Sequence, residues 1–168
     1  PEDRKALGLV LSLDVEDNLA LPTIERHRRG PFLERSSLRD AARRWIERLR
    51  IKTPSPTQPT ITLSGGNQQK IVVAKWLATE PRVLILDEPT RGIDVGAKRE
   101  IHDLIRSIAA DGVAVLVISS ELPEILTVSD RIVVMHEGRV SGELDAVSAT
   151  EEQILTLAFG RDLDSDAA

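Results

Sequence analysis

The sequence predicts an α/β protein: a parallel sheet covered by helices, with a small helical part attached. Two observations carry this expectation. From residue 63 onward, strand-length apolar runs alternate with helix-length amphipathic segments, the order that sets parallel strands side by side with helices on their faces. Before that point the chain is rich in arginine and broken by proline, and its apolar residues recur at helical spacing.

The elements follow in chain order. Asp14-Val15-Glu16-Asp17-Asn18-Leu19 reads as a short helix with Asp14 as N-cap and Asp17 three residues on. Glu25 to Arg35 is charged and interrupted by Gly30-Pro31, so it reads as a loop. Arg26, Arg28 and Arg29 form a basic cluster within it, either a solvated loop or a contact for acidic protein loops or lipid headgroups. Leu38, Ala42, Trp45, Ile46 and Leu49 mark one face of an amphipathic helix, with arginines on the other. Pro54, Pro56 and Pro59 end it, because proline lacks an N–H and restricts the residue before it. This stretch is the expected seam in the chain.

A helix from about Asn67 to Thr79 is followed by a buried strand, Val83 to Asp87, a helix, Ala97 to Ala110, and a β-branched strand, Val113 to Ser119. A short helix spans Leu122 to Val128. Arg131 to His136 and Arg139 to Leu144, joined at Glu137-Gly138, read as a hairpin at the sheet edge. Thr150 caps a last helix that runs to Phe159.

Composition narrows the function. At 168 residues the chain fits one domain, or one domain with a subdomain. A net charge of −5 gives no electrostatic reason to expect nucleic acid as a partner. No cysteine is present, which excludes disulfides and thiolate metal sites. The longest apolar runs are strand-length, far short of the roughly 20 residues that span a bilayer, so any membrane role is expected to be peripheral.

Two runs carry chemistry. Leu63-Ser64-Gly65-Gly66-Asn67-Gln68-Gln69-Lys70 is a Ser-Gly-Gly turn opening a helix, which leaves unpaired backbone N–H groups facing outward. Ser64 Oγ, the Gly66 N–H and the helix dipole together make a small anion seat, and two glycines in tandem allow a close backbone approach. Leu84-Ile85-Leu86-Asp87-Glu88-Pro89-Thr90 delivers two carboxylates at the C-terminal end of a strand, the side on which open α/β sheets bind ligands. Asp87 is placed to orient Mg²⁺, through coordinated water, and Glu88, pointing the other way, to polarise an attacking water. An apolar run ending in two acids is equally the pattern of a strand that ends in a solvated turn.

These two runs resemble, nearly letter for letter, the signature and Walker B motifs of ABC-type ATPases. Pro89-Thr90 and Gly92-Ile93-Asp94 are similar to the Walker B exit and D-loop of that family. Gly-Gly-Asn-Gln-Gln-Lys, Glu2-Asp3-Arg4-Lys5, Asp87 through Lys98, Ser119 through Glu124 and Met135-His136-Glu137-Gly138 resemble its monosaccharide importer subfamily, in the second of two tandem ATPase domains. The likeness covers about residues 1 to 160.

The resemblance implies a partial P-loop NTPase fold. It assigns residues 1–13 to the Q-loop region, 14–80 to a helical subdomain carrying the signature, 81–160 to the C-terminal part of a RecA-like core and 161–168 to a tail. It places Glu2 at the Q-loop position, Ser64, Gly65, Gly66, Asn67 and Gln68 against a nucleotide held by a facing domain, and Asp94 in contact with that domain. ATP and Mg²⁺ are the implied cofactors. A partner ATPase domain, transmembrane permease subunits and, indirectly, an extracytoplasmic sugar-binding protein are the implied partners. The implied location is peripheral, on the cytoplasmic face of the cell membrane.

One departure matters. Where the family places a switch histidine after the strand Val113–Ile118, this chain has Ser120, which donates a hydrogen bond but carries no charge near neutral pH. His27, His102 and His136 do not stand at that position. The site containing Glu88 and Ser120 is therefore expected to hydrolyse ATP poorly. The alternative to an active ATPase half is a regulatory one, which donates its signature without turning over. The chain contains no G-x-x-x-x-G-K-[ST] phosphate loop and starts at Pro1, so it reads as a fragment, inactive alone, of a longer ATPase.

Overall fold

The computed structural model describes residues 8–161, so Glu2 and its neighbours lie outside the described residues. Two compact units divide at Leu116 and Val117.

The first unit begins with α1 (Val15–Ala20), whose N-cap Asp14 accepts from the Asp17 N–H at 2.8 Å, as the sequence predicts. Its Asn18 is fully buried: Oδ1 accepts from the Val10 N–H, and Nδ2 donates to the Val10 and Asp14 carbonyls and to Thr60 Oγ1. Glu25–Arg35 is not the loop expected. A 3-10 segment over Leu21–His27 leads into a hairpin of β1 (Arg28–Arg29) and β2 (Phe32–Leu33), and α2 (Arg35–Arg48) starts at Arg35. Gly30, at φ +62°, supplies the left-handed turn residue of this hairpin. His27 Nδ1 lies 2.9 Å from Ser37 Oγ.

The proline-rich stretch is no seam within this unit. The Val15 N–H donates to the Gln58 carbonyl, the Glu16 N–H to Pro56, and the Thr60 N–H to Leu13. Prolines cannot donate, but their carbonyls accept, so the stretch straps the start of α1.

α3 (Gly65–Leu77) crosses behind these elements. Val15, Leu19, Ala42, Leu49, Ile51, Ile71, Val72 and Ala74 form one buried cluster, with Trp45 and Leu104 packed against it. At about 25 cal/mol per Å² of apolar surface removed from water, such a cluster is the main source of the unit's cohesion. β3 (Val83–Asp87) and β4 (Ala114–Ile118) are hydrogen-bonded neighbours joined through α4 (Val95–Ala110). β3 is covered on one face only. Leu84 and Leu86 are buried, whereas Val83 and Ile85 are about 60% exposed within this chain.

The second unit holds α5 (Leu122–Val128), the antiparallel hairpin of β5 (Arg131–His136) and β6 (Arg139–Asp145), and α6 (Glu151–Ala158). Ile132, Val134, Ile154 and Leu157 form its core. Thr150 and Gln153 make a reciprocal capping box at the start of α6. Gly142 lets Leu157 pack onto β6, since a Cβ there would meet the leucine methyls at 2.7 Å.

Candidate functional site

The Ser64-Gly-Gly run forms the N-terminus of α3, and its residues divide by environment. Ser64 is exposed and caps the helix: its Oγ accepts from the Asn67 N–H at 3.5 Å and from Asn67 Nδ2 at 2.9 Å. The Gly65 and Gly66 N–H groups precede the first intrahelical bond, where the helix dipole is positive. Asn67 Oδ1 accepts from the Lys52 N–H at 2.8 Å, so one side chain ties the turn to the segment that follows α2.

Gly66 is buried, and its backbone serves a neighbouring helix. A Cβ at this position would sit 2.6 Å from Ala97 Cβ. The sequence reading gave both glycines to ligand approach; the structure accounts for Gly66 by the near-contact of α3 and α4. Gln68 is also turned inward, with Nε2 donating to the Thr60 carbonyl at 3.1 Å. What the run presents at the surface is Ser64, with Gly65 and Asn67 half-buried beside it.

Further along α3 the buried groups are charged. Lys70 donates to the Arg50 carbonyl at 3.2 Å and to Glu100 on α4 at 2.7 Å. The hydrogen bond from Lys70 holds the Glu100 carboxyl below the usual carboxylate range. Lys75 donates to the Gly8 carbonyl, and its burial pushes the ammonium pKa down.

Asp87 ends β3 and is half-buried, and Glu88 follows at φ +47°. That left-handed conformation is costly for a side chain with a Cβ, of order 1–2 kcal/mol. It persists because the next residues anchor the turn: Pro89 and Thr90 are fully buried, and the Arg91 N–H donates back to the Glu88 carbonyl at 3.2 Å. Asp94 closes the loop as N-cap of α4, its Oδ1 accepting from the Ala97 N–H at 2.9 Å. The same helix start therefore holds both Asp94 and the Ala97 that meets Gly66.

No group of three or more His, Cys, Asp or Glu side chains able to hold a metal occurs among the described residues. Mg²⁺ binds through one or two carboxylates with water and phosphate oxygens. Asp87 is the residue here with the right chemistry and position. In the second unit, Ser120 is exposed between β4 and α5, next to Ser119, whose Oγ accepts from the Glu121 N–H at 3.0 Å. His136 Nδ1 lies 2.8 Å from the Ala158 carbonyl. Sequence reasoning missed Lys52 and Glu100, because neither stands at a motif spacing from the residues it meets.

A family profile described as ABC transporter matches residues 4–91, over half of the chain. The chain belongs to the ABC transporter family. It is 57% identical over 162 residues to a Burkholderia cenocepacia protein named for ribose, galactose and methyl galactoside import. It is 55% identical over 161 residues to the ribose import ATP-binding protein RbsA of Rhodopirellula baltica. Each alignment covers 96% of this chain and 32% of the relative, so the chain spans about a third of their length.

The fold is that of ABC ATPase cassettes. A dimeric bacterial ABC transporter cassette superposes with a TM-score of 0.70 at 24% identity, over 84% of this chain and 60% of that one. The ADP conformation of another ABC transporter cassette gives 0.69 at 22% identity, over 94% and 62%.

Proposed function

We propose that this chain is part of the energy-coupling ATPase of an ABC-type importer for monosaccharides. The observation that carries the reading is the α3 N-terminus, where Ser64 is presented at the surface while Gly66, Gln68 and Lys70 behind it are buried and fixed. Such a turn suits the γ-phosphate of an ATP held mainly by a facing domain. The import names and 53–57% identities of the relatives favour an ATPase over a regulatory, non-hydrolysing half.

Each residue then has a task. Ser64 and the first-turn N–H groups contact phosphate in the partner's site. Asp87 would hold Mg²⁺, which when bound would neutralise charge on the phosphates. Glu88 orients the attacking water, and Ser120 takes the switch position with a neutral hydroxyl. Asp94 stands at the border with the facing domain. The exposed apolar face of β3 receives further strands of the longer polypeptide, including the segment with the phosphate loop. The unit containing α1 and α2 contacts the permease subunits, which brings the protein to the cytoplasmic face of the membrane.

The test is sugar-stimulated ATP hydrolysis by the full-length polypeptide, assembled with its permease and sugar-binding protein in liposomes. Ser64→Arg is expected to lower turnover by at least about 100-fold, whereas Glu88→Gln, at a site that the sequence marks as a poor hydrolyser, lowers it by less than about tenfold. Equal and complete loss from both would remove the asymmetry. Full activity in Ser64→Arg would remove the reading of the turn.

A further inference from the structure

We infer that Glu100 is a positioning residue for the Ser64 turn, acting through Lys70 and Lys52. The inference rests on the role proposed above for that turn and names what holds it in place.

Both carboxylate oxygens of Glu100 are engaged by lysines from different parts of the chain. Oε2 accepts from Lys70 at 2.7 Å, and Oε1 from Lys52 at 3.4 Å. Lys70 is on α3, two turns below the Ser64 cap. Lys52 is in the segment after α2, and its backbone N–H donates to Asn67 Oδ1 at 2.8 Å. Asn67 Nδ2 donates to Ser64 Oγ at 2.9 Å. These contacts close a circuit: Glu100 to Lys70 and up α3 to Ser64, then through Asn67 to Lys52 and back to Glu100. The Gly66–Ala97 approach lies inside it, one helical turn before Glu100 on α4.

The circuit controls two motions that packing alone leaves open. The Gly66–Ala97 contact sets the distance between the α3 and α4 starts, but two small residues do not stop α3 from sliding or rolling against α4. The Lys70–Glu100 pair fixes that register. The Lys52–Asn67 bond fixes the rotation of the first turn, and with it the direction of Ser64 Oγ.

Cohesion alone does not call for a buried lysine here. Lys70 has a side chain only 6% exposed, and an apolar residue of similar volume is often as stabilising as a buried ion pair. What the pair adds is a single arrangement, and a misplacement near 1 Å at a reacting centre costs about 100-fold in rate. Glu100 is itself about half exposed and hydrogen-bonds to the two lysines, so its effect passes through them.

The experiment uses the full-length polypeptide with its permease and sugar-binding protein. Turnover, KM for ATP and unfolding temperature are measured for Glu100→Ala, Lys70→Met and the double variant, with Glu100→Gln and Lys70→Arg as milder changes that keep shape or charge. Glu100→Ala and Lys70→Met are each expected to lower kcat about tenfold per folded transporter and leave KM within about twofold. The double variant is expected to be no slower than the worse single, because both changes open the same link. Lys70→Arg is expected to recover most of the rate.

Unchanged kcat in both singles, or losses that multiply in the double, would overturn the circuit. A fall in unfolding temperature with kcat per folded molecule intact would do the same, since that is what simple cohesion predicts. Ser64→Arg in the same assay separates the two levels. If it abolishes turnover while Glu100→Ala and Lys70→Met do not, only the circuit fails; if it is harmless, the role of the turn itself fails.

Discussion

Replacing Gly66 with Ala adds one methyl group in the closest contact between α3 and α4. The new Cβ would sit 2.6 Å from Ala97 Cβ, about 0.8 Å short of the 3.4 Å at which ordinary contact begins. Neither partner has a flexible end, so the helices must part. Overpacking of this kind costs about 1–3 kcal/mol. The alanine regains up to about 1 kcal/mol of helix propensity over glycine, which with the full gain leaves a net loss of up to about 2 kcal/mol. In a chain of 168 residues this corresponds to a fall of up to about 8 °C in unfolding temperature.

The informative comparison is with Gly66→Ala/Ala97→Gly, in which the obstructing methyl is moved rather than added. If Gly66 is glycine because of α4, the double variant recovers both stability and ATP hydrolysis, apart from the propensity lost at residue 97. Thermal unfolding and hydrolysis by the full-length transporter would be read for all four combinations. A double variant that regains neither stability nor hydrolysis would refute the packing account, and one that regains stability but not hydrolysis would show that Gly66 also serves ligand approach. A stable, active Gly66→Ala would refute both.

Two further outcomes follow from the geometry. Asn18→Ala should destabilise the first unit by about 3 kcal/mol, because it strands buried partners at Val10, Asp14 and Thr60; urea unfolding followed by tryptophan fluorescence checks this. Acid should act through Glu100. Its folded pKa lies below the ordinary 4.5 because of Lys70, so its contribution is complete above about pH 4.5 and is lost as pH falls through the lower folded value. Glu100→Gln should therefore flatten the acid limb of stability below pH 4.5, and an unchanged limb would show that other carboxylates dominate it.

The sequence was most legible where signals are local. Asp14 and Thr150 cap the helices they were expected to cap, and β3, α5 and β5 have the expected bounds. The β1–β2 hairpin was read as loop because each strand has two residues, all exposed, which leaves no alternation to detect. The proline stretch was read as a seam because its ties to α1 run from backbone to backbone across some 40 residues and leave no side-chain trace. At the candidate site the motif residues were visible, but their division into exposed and buried was not. That division depends on Ala97, Lys52 and Glu100, which reach the turn only through tertiary structure.

The positive φ of Glu88 implies that selection at this position answers to two masters. In a library of all substitutions at residue 88, abundance of folded protein should follow backbone tolerance, with Gly, Asn and Asp above Glu, and Val and Ile lowest. Transport-dependent growth should instead favour Glu, whatever its rank for abundance. A residue that is inferior for folding yet better for work leaves a crossing of the two rankings, and sequencing the library under each condition would expose it.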